Sequence, residues 1–287
     1  MQKNFYNLNI LNSVYYGDKS KLNTRINVWK NYGTEKQSYA DFLLSIIGKQ
    51  KFNGYADLGC GNAFYSNKFI NNIVGNAYFC DISNDLLCEA QSNITPHDFC
   101  KVTFINDDII NAKIPDNSCE LITLMHVLHH IDNLDTIFEK VKKISKKNSK
   151  ILITTYNHSL TDFLNTTHYD ALKKFGFPQY MIDTTEYLKF NGNNAYEYLI
   201  KSFNNVETFI YQNDAIIDDP SVLLDYYSSA MMFRMSKGYF SLDITSQQWE
   251  QLYNYVKENI EKEIEKKGAI LLEGQLMAFL VNTNYDS

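Results

Sequence analysis

The chain has 287 residues, of which 45% are hydrophobic and 21% charged, an ordinary balance for a folded globular protein. Its formal net charge of −6 argues against generic binding to phosphate backbones, and it holds no run of about 18 apolar residues that could span a membrane. Five cysteines, at 60, 80, 88, 100 and 119, form no CxxC pair, which argues against a disulfide framework or a zinc site and fits a reducing cytosol.

The first stretch, "MQKNFYNLNILNSVYYGDKS", carries Asn and Asp within its apolar part, unlike a secretory signal. Residues 1–54 are expected to be helical, with apolar residues three and four apart in "NTRINVWKNYG" and "EKQSYADFLLSIIGKQ" and stops at Gly33 and Gly48. The period then changes. "GYADLG" (54–59) predicts a buried strand and a glycine turn, "NAFYSNKFINNIV" a helix, and "NAYFCDIS" a second strand. "NDLLCEAQSNI" predicts a helix, "KVTFINDD" a third strand, and "CELITLMHVLHHI" a fourth strand entering a helix. "LDTIFEKVKKISKK" predicts a helix and "SKILITTY" a fifth strand. Alternating strands and helices with apolar strands imply a parallel sheet covered on both faces. The basic run "KVKKISKKNSK" (140–150) is expected to be a solvated helix face and end.

After residue 157 the alternation stops. "SLTDFLNTTHYDALKKFGFPQY" predicts helices and loops, "NNAYEYLIKSF" a helix, and "NNVETFIYQNDAI" a strand. "DPSVLLDYYSSAMMF" opens a helix, 245–267 a long one, and "GQLMAFLVNT" closes the chain as a strand. The expected organisation is a single domain, 1–287, with a sheet core at 51–157, helical material at 1–50 and again at 158–192 and 213–268, and 193–212 with 269–287 completing the sheet.

Ligands of a parallel α/β sheet bind at the carboxyl ends of its strands. The first strand ends in "DLGCGNAFYS", where Gly59 and Gly61 permit a sharp turn and close backbone approach. Counted from Gly59, the third glycine of a dinucleotide fingerprint is replaced by Phe64, and no Gly-Lys-Ser/Thr follows. The turn suits an adenosine ligand without a pyrophosphate, the alternative being a plain glycine turn. Asp81 lies 22 residues past Gly59, the separation at which an acid meets ribose hydroxyls; an acid at a strand end is also a common helix cap, a job that Asn84 or Ser83 could do instead. Asp107 or Asp108 ends the third strand, where a carboxylate can accept from an adenine amine. The fourth ends in "LMHVLHHID", with three histidines in five residues, and the fifth in "TTYNHS".

The series "DLGCGNA", "CDIS", "NDD" and "MHVLHHIDN" resembles the class I S-adenosylmethionine-dependent methyltransferases across about residues 50–157. The segments "KLNTRINVWKNYGT" and "FNGNNAYEYLIKSFNNVETFIYQNDAIIDDPSVLLDYYSSA" resemble bacterial enzymes similar to the ubiquinone/menaquinone small-molecule type. Two departures are Ala63 at the third small position of the turn and "KKNSK" where the family usually has Pro-Gly-Gly. The resemblance implies a Rossmann-like, seven-stranded α/β sheet, mostly parallel with an antiparallel C-terminal strand, in which 51–157 is the donor-binding core, 1–50 an N-terminal helical lid, and 158–192 with 213–268 a helical cap over the acceptor site. It implies a cytoplasmic enzyme that moves a methyl group from S-adenosyl-L-methionine to O, N or C of a small metabolite, leaving S-adenosyl-L-homocysteine. No metal, nucleic acid or membrane partner is implied, and the chain would act as a monomer or homodimer.

The implied donor-binding residues are Tyr16, Arg25, Asp57, Gly59, Gly61, Asp81, Ile82, Asp108, Ile109 and His126. Asp57 and Gly59 would lie by the methionine part, Asp81 on the ribose, and Asp108 with Ile109 at the adenine. Arg25 either pairs with the methionine carboxylate or is an exposed helix residue beside an acid. His126 and His158 are the candidate bases, Tyr156 an orienting group, and His129 and His130 are expected to pack or cap. The aromatic and Met-rich helices after residue 157 would roof the acceptor or form core. Alternatives are a nucleic-acid or protein methyltransferase, a non-catalytic donor-binding protein, and a dehydrogenase, the last disfavoured by Phe64.

Overall fold

The computed structural model describes residues 19–157, 162–182, 189–229 and 244–283. The described residues form two compact units, one from 37–157, 189–211 and 276–283, the other from 19–36, 162–182, 212–229 and 244–275.

The first unit holds a seven-stranded sheet. In chain order its strands are β1 (Phe52–Leu58), β2 (Ile73–Asp81), β3 (Cys100–Asn106), β4 (Cys119–Met125), β5 (Ser145–Tyr156) and β6 (Val206–Gln212). The short β7 (Ala215–Ile217) and β8 (Ile270–Leu272) belong to the other unit, and β9 (Gln275–Asn282) returns to the sheet. The sheet order is β3-β2-β1-β4-β5-β9-β6. β1, β2, β3, β4 and β5 are paired in parallel and β9 runs antiparallel to β5. This is the mostly parallel sheet with an antiparallel C-terminal strand implied by the motifs. From β1 the chain winds outward through β2 and β3, then crosses back to β4, so the switch point lies between β1 and β4.

Side chains of successive strand residues point to opposite faces, and two cores result. Ala56 and Leu58 pack with the helix Leu134–Ile144, whose Ile137, Phe138, Val141 and Ile144 make one buried stripe. Tyr55 packs on the other face with Leu43 and Ile47 of the helix Tyr39–Ile47 and Leu87 and Ala90 of the helix Asn84–Asn93. Burying one such Ile or Phe contributes about 1.5–3 kcal/mol, so these two apolar faces do most to hold the sheet closed. Asn133 starts the helix Leu134–Ile144 by accepting from the Thr136 N–H at 3.1 Å.

The alternation is less regular than the hydrophobic pattern predicts. "NAFYSNKFINNIV" forms no α-helix; after the glycine turn the chain takes 3₁₀ turns at Ser66–Asn72 and enters β2 at Ile73. The register pairs Ile73 with Phe52, the first residue of β1, which leaves too little chain for a longer helix. No helix lies between β3 and β4 either. The helix predicted to reach Lys147 stops at Ile144, because Ser145 already pairs with Cys119. Asn148 then turns the chain at φ +61°, supplying the left-handed residue for which the family uses glycine.

In the second unit the helices Lys19–Tyr32, Phe163–Lys174, Pro220–Ser229 and Ser246–Lys267 share one apolar core. Trp249, Leu252, Val256 and Ile260 form the buried stripe of the longest, which begins with a Thr245–Gln248 capping box and ends at left-handed Gly268. The stretch expected as one strand, "NNVETFIYQNDAI", is divided. β6 stays in the large sheet, while β7 pairs antiparallel with β8, so Ile270–Leu272 does not join the core sheet as expected. No helix among the described residues is long and apolar enough to cross a membrane.

Candidate active site

The site is built at the carboxyl edge of the sheet, around the turn that follows β1. Gly59, Gly61 and Ala63 have φ of +77°, +54° and +56°. The Gly59 and Cys60 N–H groups both donate to the Cys80 carbonyl, at 2.8 and 3.0 Å, and tie the turn to the end of β2. A Cβ at Gly59 would lie 2.5 Å from Val127 Cγ2, so that position is closed to any side chain. A Cβ at Gly61 would meet no protein atom within 4 Å, so its backbone faces open space. That is the surface a ligand can approach closely. Ala63, the third small residue, carries the same left-handed strain with a Cβ in place.

Asp81, at the end of β2, is nearly enclosed, with 9% exposure. Its Oδ2 accepts from the Gly61 N–H at 2.8 Å and its Oδ1 from the Ser83 N–H at 2.8 Å. Burial raises its pKa, and the N–H groups of Ser83, Gly61 and Ile82 oppose that shift by stabilising the ionised form. The helix after β2 is capped by the Ser83 hydroxyl, which leaves Asp81 to anchor the turn and to present its outward lone pairs. Asn106 at the end of β3 donates to the carbonyls of Asp81 and Ile82, at 3.1 and 2.9 Å, and supports them from the side.

Asp57 is fully enclosed beneath the turn rather than exposed at the edge. Its Oδ1 accepts from Thr123 Oγ1 at 2.7 Å, and that oxygen also bonds the Tyr55 hydroxyl at 2.8 Å. Asp57 Oδ2 and Ser66 Oγ are buried with no hydrogen-bond partner among the described residues. Burial pushes the Asp57 pKa up to about 6; the nearby Ser66 and Thr123 hydroxyls oppose this and the Asp81 charge adds to it. Asp108 is half-buried and accepts from the Ile110 N–H at 2.8 Å, which shapes its own turn. Ile109 is packed in the core, so only its backbone is available to a ligand.

His126 directly follows β4 with φ +53°, a conformation costing a non-glycine residue about 1–2 kcal/mol. Its N–H donates to the Thr154 carbonyl at 3.0 Å. The imidazole stacks on Tyr156 with centroids 4.3 Å apart, and lies 5.7 Å from Tyr39 and 6.5 Å from Tyr65. Strain held at a strand end beside a conformationally open turn is a mark of a functional position. His129 and His130 belong to 3₁₀ turns at Leu128–His130, and burial lowers the His130 pKa to about 4. His130 is thus a neutral packing group, as expected.

The structure therefore brings Gly59, Gly61, Asp81, Ile82, Asp108, His126 and Tyr156 to the carboxyl edge of one sheet. Arg25 lies in the helix Lys19–Tyr32 of the other unit, where its guanidinium donates to the Ser229 carbonyl. Tyr16 and His158 lie outside the described residues. Sequence reasoning missed Tyr39 and Tyr65 around His126, Tyr211 packed on Tyr39, and Thr123 and Ser66 around Asp57. Tyr65 and Ser66 follow the glycine turn directly and were within reach of the motif; the others are remote in the chain.

The model of a methyltransferase domain matches residues 53–259, and the chain belongs to that family, the class I S-adenosylmethionine-dependent methyltransferases. Its structure is similar to that of a Bacillus halodurans protein described as a methyltransferase, at 14% identity and a TM-score of 0.54, over 86% of this chain and 99% of that one. It is similar to Haemonchus contortus phosphoethanolamine N-methyltransferase 2 bound to S-adenosyl-L-methionine, at 14% identity and a TM-score of 0.53, over 96% and 59%. It is also similar to a mycolic acid cyclopropane synthase bound to S-adenosylhomocysteine, at 12% identity and a TM-score of 0.55, over 96% and 98%. At such identities the fold is what these proteins share with this chain. No curated protein matches the chain in sequence.

The residues at the edge fit S-adenosylmethionine. Gly61 offers an open backbone face, Asp81 keeps acceptor capacity for vicinal hydroxyls, and Phe64, 48% exposed, leaves no third glycine for a pyrophosphate.

Proposed function

We propose that this chain methylates an oxygen, nitrogen or carbon atom of a small-molecule metabolite in the cytoplasm, with no nucleic-acid or membrane partner. S-adenosylmethionine, when bound, supplies an activated methyl group, so the protein's work is alignment, exclusion of water and handling of one proton. Asp81 and Ile82 hold the ribose, and the Gly59–Gly61 turn lies along the donor. Asp108 and the Ile109 backbone flank the adenine.

His126 accepts the acceptor's proton where that group starts protonated. The stack with Tyr156 fixes the plane of the imidazole, and Tyr156 orients the acceptor from the next strand end. His158 and Tyr16 keep the parts implied by resemblance, as second base candidate and donor contact, while Arg25 is engaged with the Ser229 carbonyl in its own unit. The observation that carries this reading is the strained His126, at φ +53°, whose neighbour Val127 packs on Gly59 of the turn that Asp81 anchors. A small acceptor is supported by the net charge of −6 and by similar structures of enzymes named for phosphoethanolamine and mycolic acid.

Calorimetry tests donor binding first: S-adenosylmethionine should bind, and binding of NADH in its place would overturn the reading. Acceptor libraries with labelled donor then test transfer. His126→Ala and His158→Ala, compared across pH with the acceptor found, identify the base; full rate in both would exclude either histidine.

A further inference from the structure

The stretch "KFNGNNA" (189–195) leads into the helix Ala195–Ser202, which precedes β6, and it is laced together by its own asparagines. The Asn194 side chain accepts from the Asn191 N–H at 2.9 Å, and the Asn191 side chain from the Asn193 N–H at 2.8 Å. The Asn191 carbonyl receives the Ala195 N–H at 2.9 Å. Asn closes such turns because its short amide can stand in for a backbone partner. Asn191 is buried, so this turn is fixed in place by packing as well as by hydrogen bonds.

The turn is fastened to the last rung of β5. The Gly192 N–H donates to the Tyr156 carbonyl at 2.9 Å, and Thr155 Oγ1 donates to the Phe190 carbonyl at 3.3 Å. In β9, Met277 pairs with Thr155 and Leu276 with Tyr156. Gly192 lies so close to this rung that a Cβ there would be 2.7 Å from Met277 Cγ and 3.0 Å from Asn157 Cβ. Its φ is not positive, so space rather than backbone conformation demands glycine. A side chain at 192 would press on Asn157 and on the partner of Thr155, the two chain neighbours of Tyr156.

Tyr156 carries the consequence to His126. The two rings stack at 4.3 Å and 28°, and the His126 N–H is held by the carbonyl of Thr154, two residues before Tyr156. Tyr156 is 40% exposed, so it has less packing around it than a core ring and its placement depends more on its backbone.

We propose that Gly192 is a positioning residue: its N–H and its missing side chain hold the end of β5 where the Tyr156 ring stacks on the His126 imidazole. This role rests on the reading above, in which Tyr156 orients the acceptor and His126 takes its proton, and adds a residue to which that reading gives no part. Gly192 acts through Tyr156 and touches no reacting atom.

The test follows the His126 ring protons by NMR in protein with labelled histidine. A tyrosine ring stacked at 4.3 Å displaces those protons upfield, and Tyr156→Leu identifies the signal by removing the displacement. Gly192→Ala should move the signal most of the way to its Tyr156→Leu position. Gly176→Ala adds a methyl group at φ +67° in the other unit, with no protein atom within 4 Å, and controls for lost stability alone. It should leave the signal in place. A His126 signal unmoved in Gly192→Ala would overturn the proposal, as would an equal displacement in Gly176→Ala. Amide exchange on the wild type decides the question even where Gly192→Ala fails to fold. The Gly192 N–H should exchange as slowly as the ladder amides of β5, and exchange at the rate of an open loop would overturn the proposal. Calorimetry with S-adenosylhomocysteine keeps this outcome apart from the donor-binding reading. Equal affinity of wild type and Gly192→Ala is expected, and affinity lost only in the variant would overturn a role confined to the Tyr156–His126 stack. Binding to neither protein sinks the donor-binding reading, and full rate in His126→Ala sinks the base assignment; the ring signal still decides whether Gly192 positions the stack.

Discussion

Replacing Asp81 by Ala tests the donor-binding assignment most directly. The N–H groups of Gly61 and Ser83, at 2.8 Å each, take one lone pair of each oxygen, and the Ile82 N–H also bears on the carboxylate. The capacity left on its outward side would accept from the two vicinal hydroxyls. Charge-assisted bonds of this kind contribute about 1.5 kcal/mol each at the low end. Losing both costs about 3 kcal/mol, or roughly 150-fold in Kd. The variant also leaves the two N–H groups without their acceptor, a loss of about 1 kcal/mol each where water cannot replace it. Thermal unfolding must therefore accompany the titration. A ligand pair separates the two effects. S-adenosylmethionine and its 2′,3′-dideoxy analogue should differ by about the same 150-fold on the wild type. On Asp81→Ala they should bind alike. An unchanged donor affinity in the variant, or undiminished discrimination between the two ligands, would refute the ribose assignment.

Gly61→Ala places a methyl group in space empty of protein at φ +54°, so stability should fall by only about 1–2 kcal/mol while donor affinity falls more steeply in calorimetry. A variant that binds the donor normally would show that this space is not the ligand's. Ala63→Gly relieves φ +56° strain of about 1–2 kcal/mol and loses about 0.4–1 kcal/mol through a freer unfolded chain. The net gain of about half to one kcal/mol should appear as a higher urea midpoint. Asp57 has its folded-state pKa raised to about 6 from an ordinary 3.8, so the folded state holds the proton more tightly. Its contribution to stability is fully present below about pH 4 and is lost as pH rises through about 6, a change of order 3 kcal/mol. Asp57→Asn should flatten that fall in urea titrations across the same pH window; an unaltered profile would exclude Asp57 as its source.

Much of the site was legible because its signals are local. The glycine turn, the acid at the end of the second strand and the histidine at the end of the fourth each sit in a short stretch whose backbone demand is written in its own residues. Gly59 and Gly61 do adopt left-handed conformations, and Asp81 does meet the turn. Elements failed where a long-range pairing overrode local period. "NAFYSNKFINNIV" has helical spacing, yet Ile73 is claimed by Phe52 across the sheet. "NNVETFIYQNDAI" has strand character throughout, yet Ala215–Ile217 pairs with Ile270–Leu272 in another unit.

By itself the sequence determined the class of sheet, the position of the turn, and the acid and histidine that flank it, because helix and strand periods and glycine conformations are properties of neighbouring residues. Only the tertiary structure decided that Asp57 is sealed below the turn, that Arg25 serves a helix end, and that Tyr39 and Tyr65 gather around His126 with Tyr211 packed on Tyr39. Those outcomes depend on which strand lies beside which, and residues 39, 65, 126, 156 and 211 carry no common period that would bring them together before the sheet is assembled.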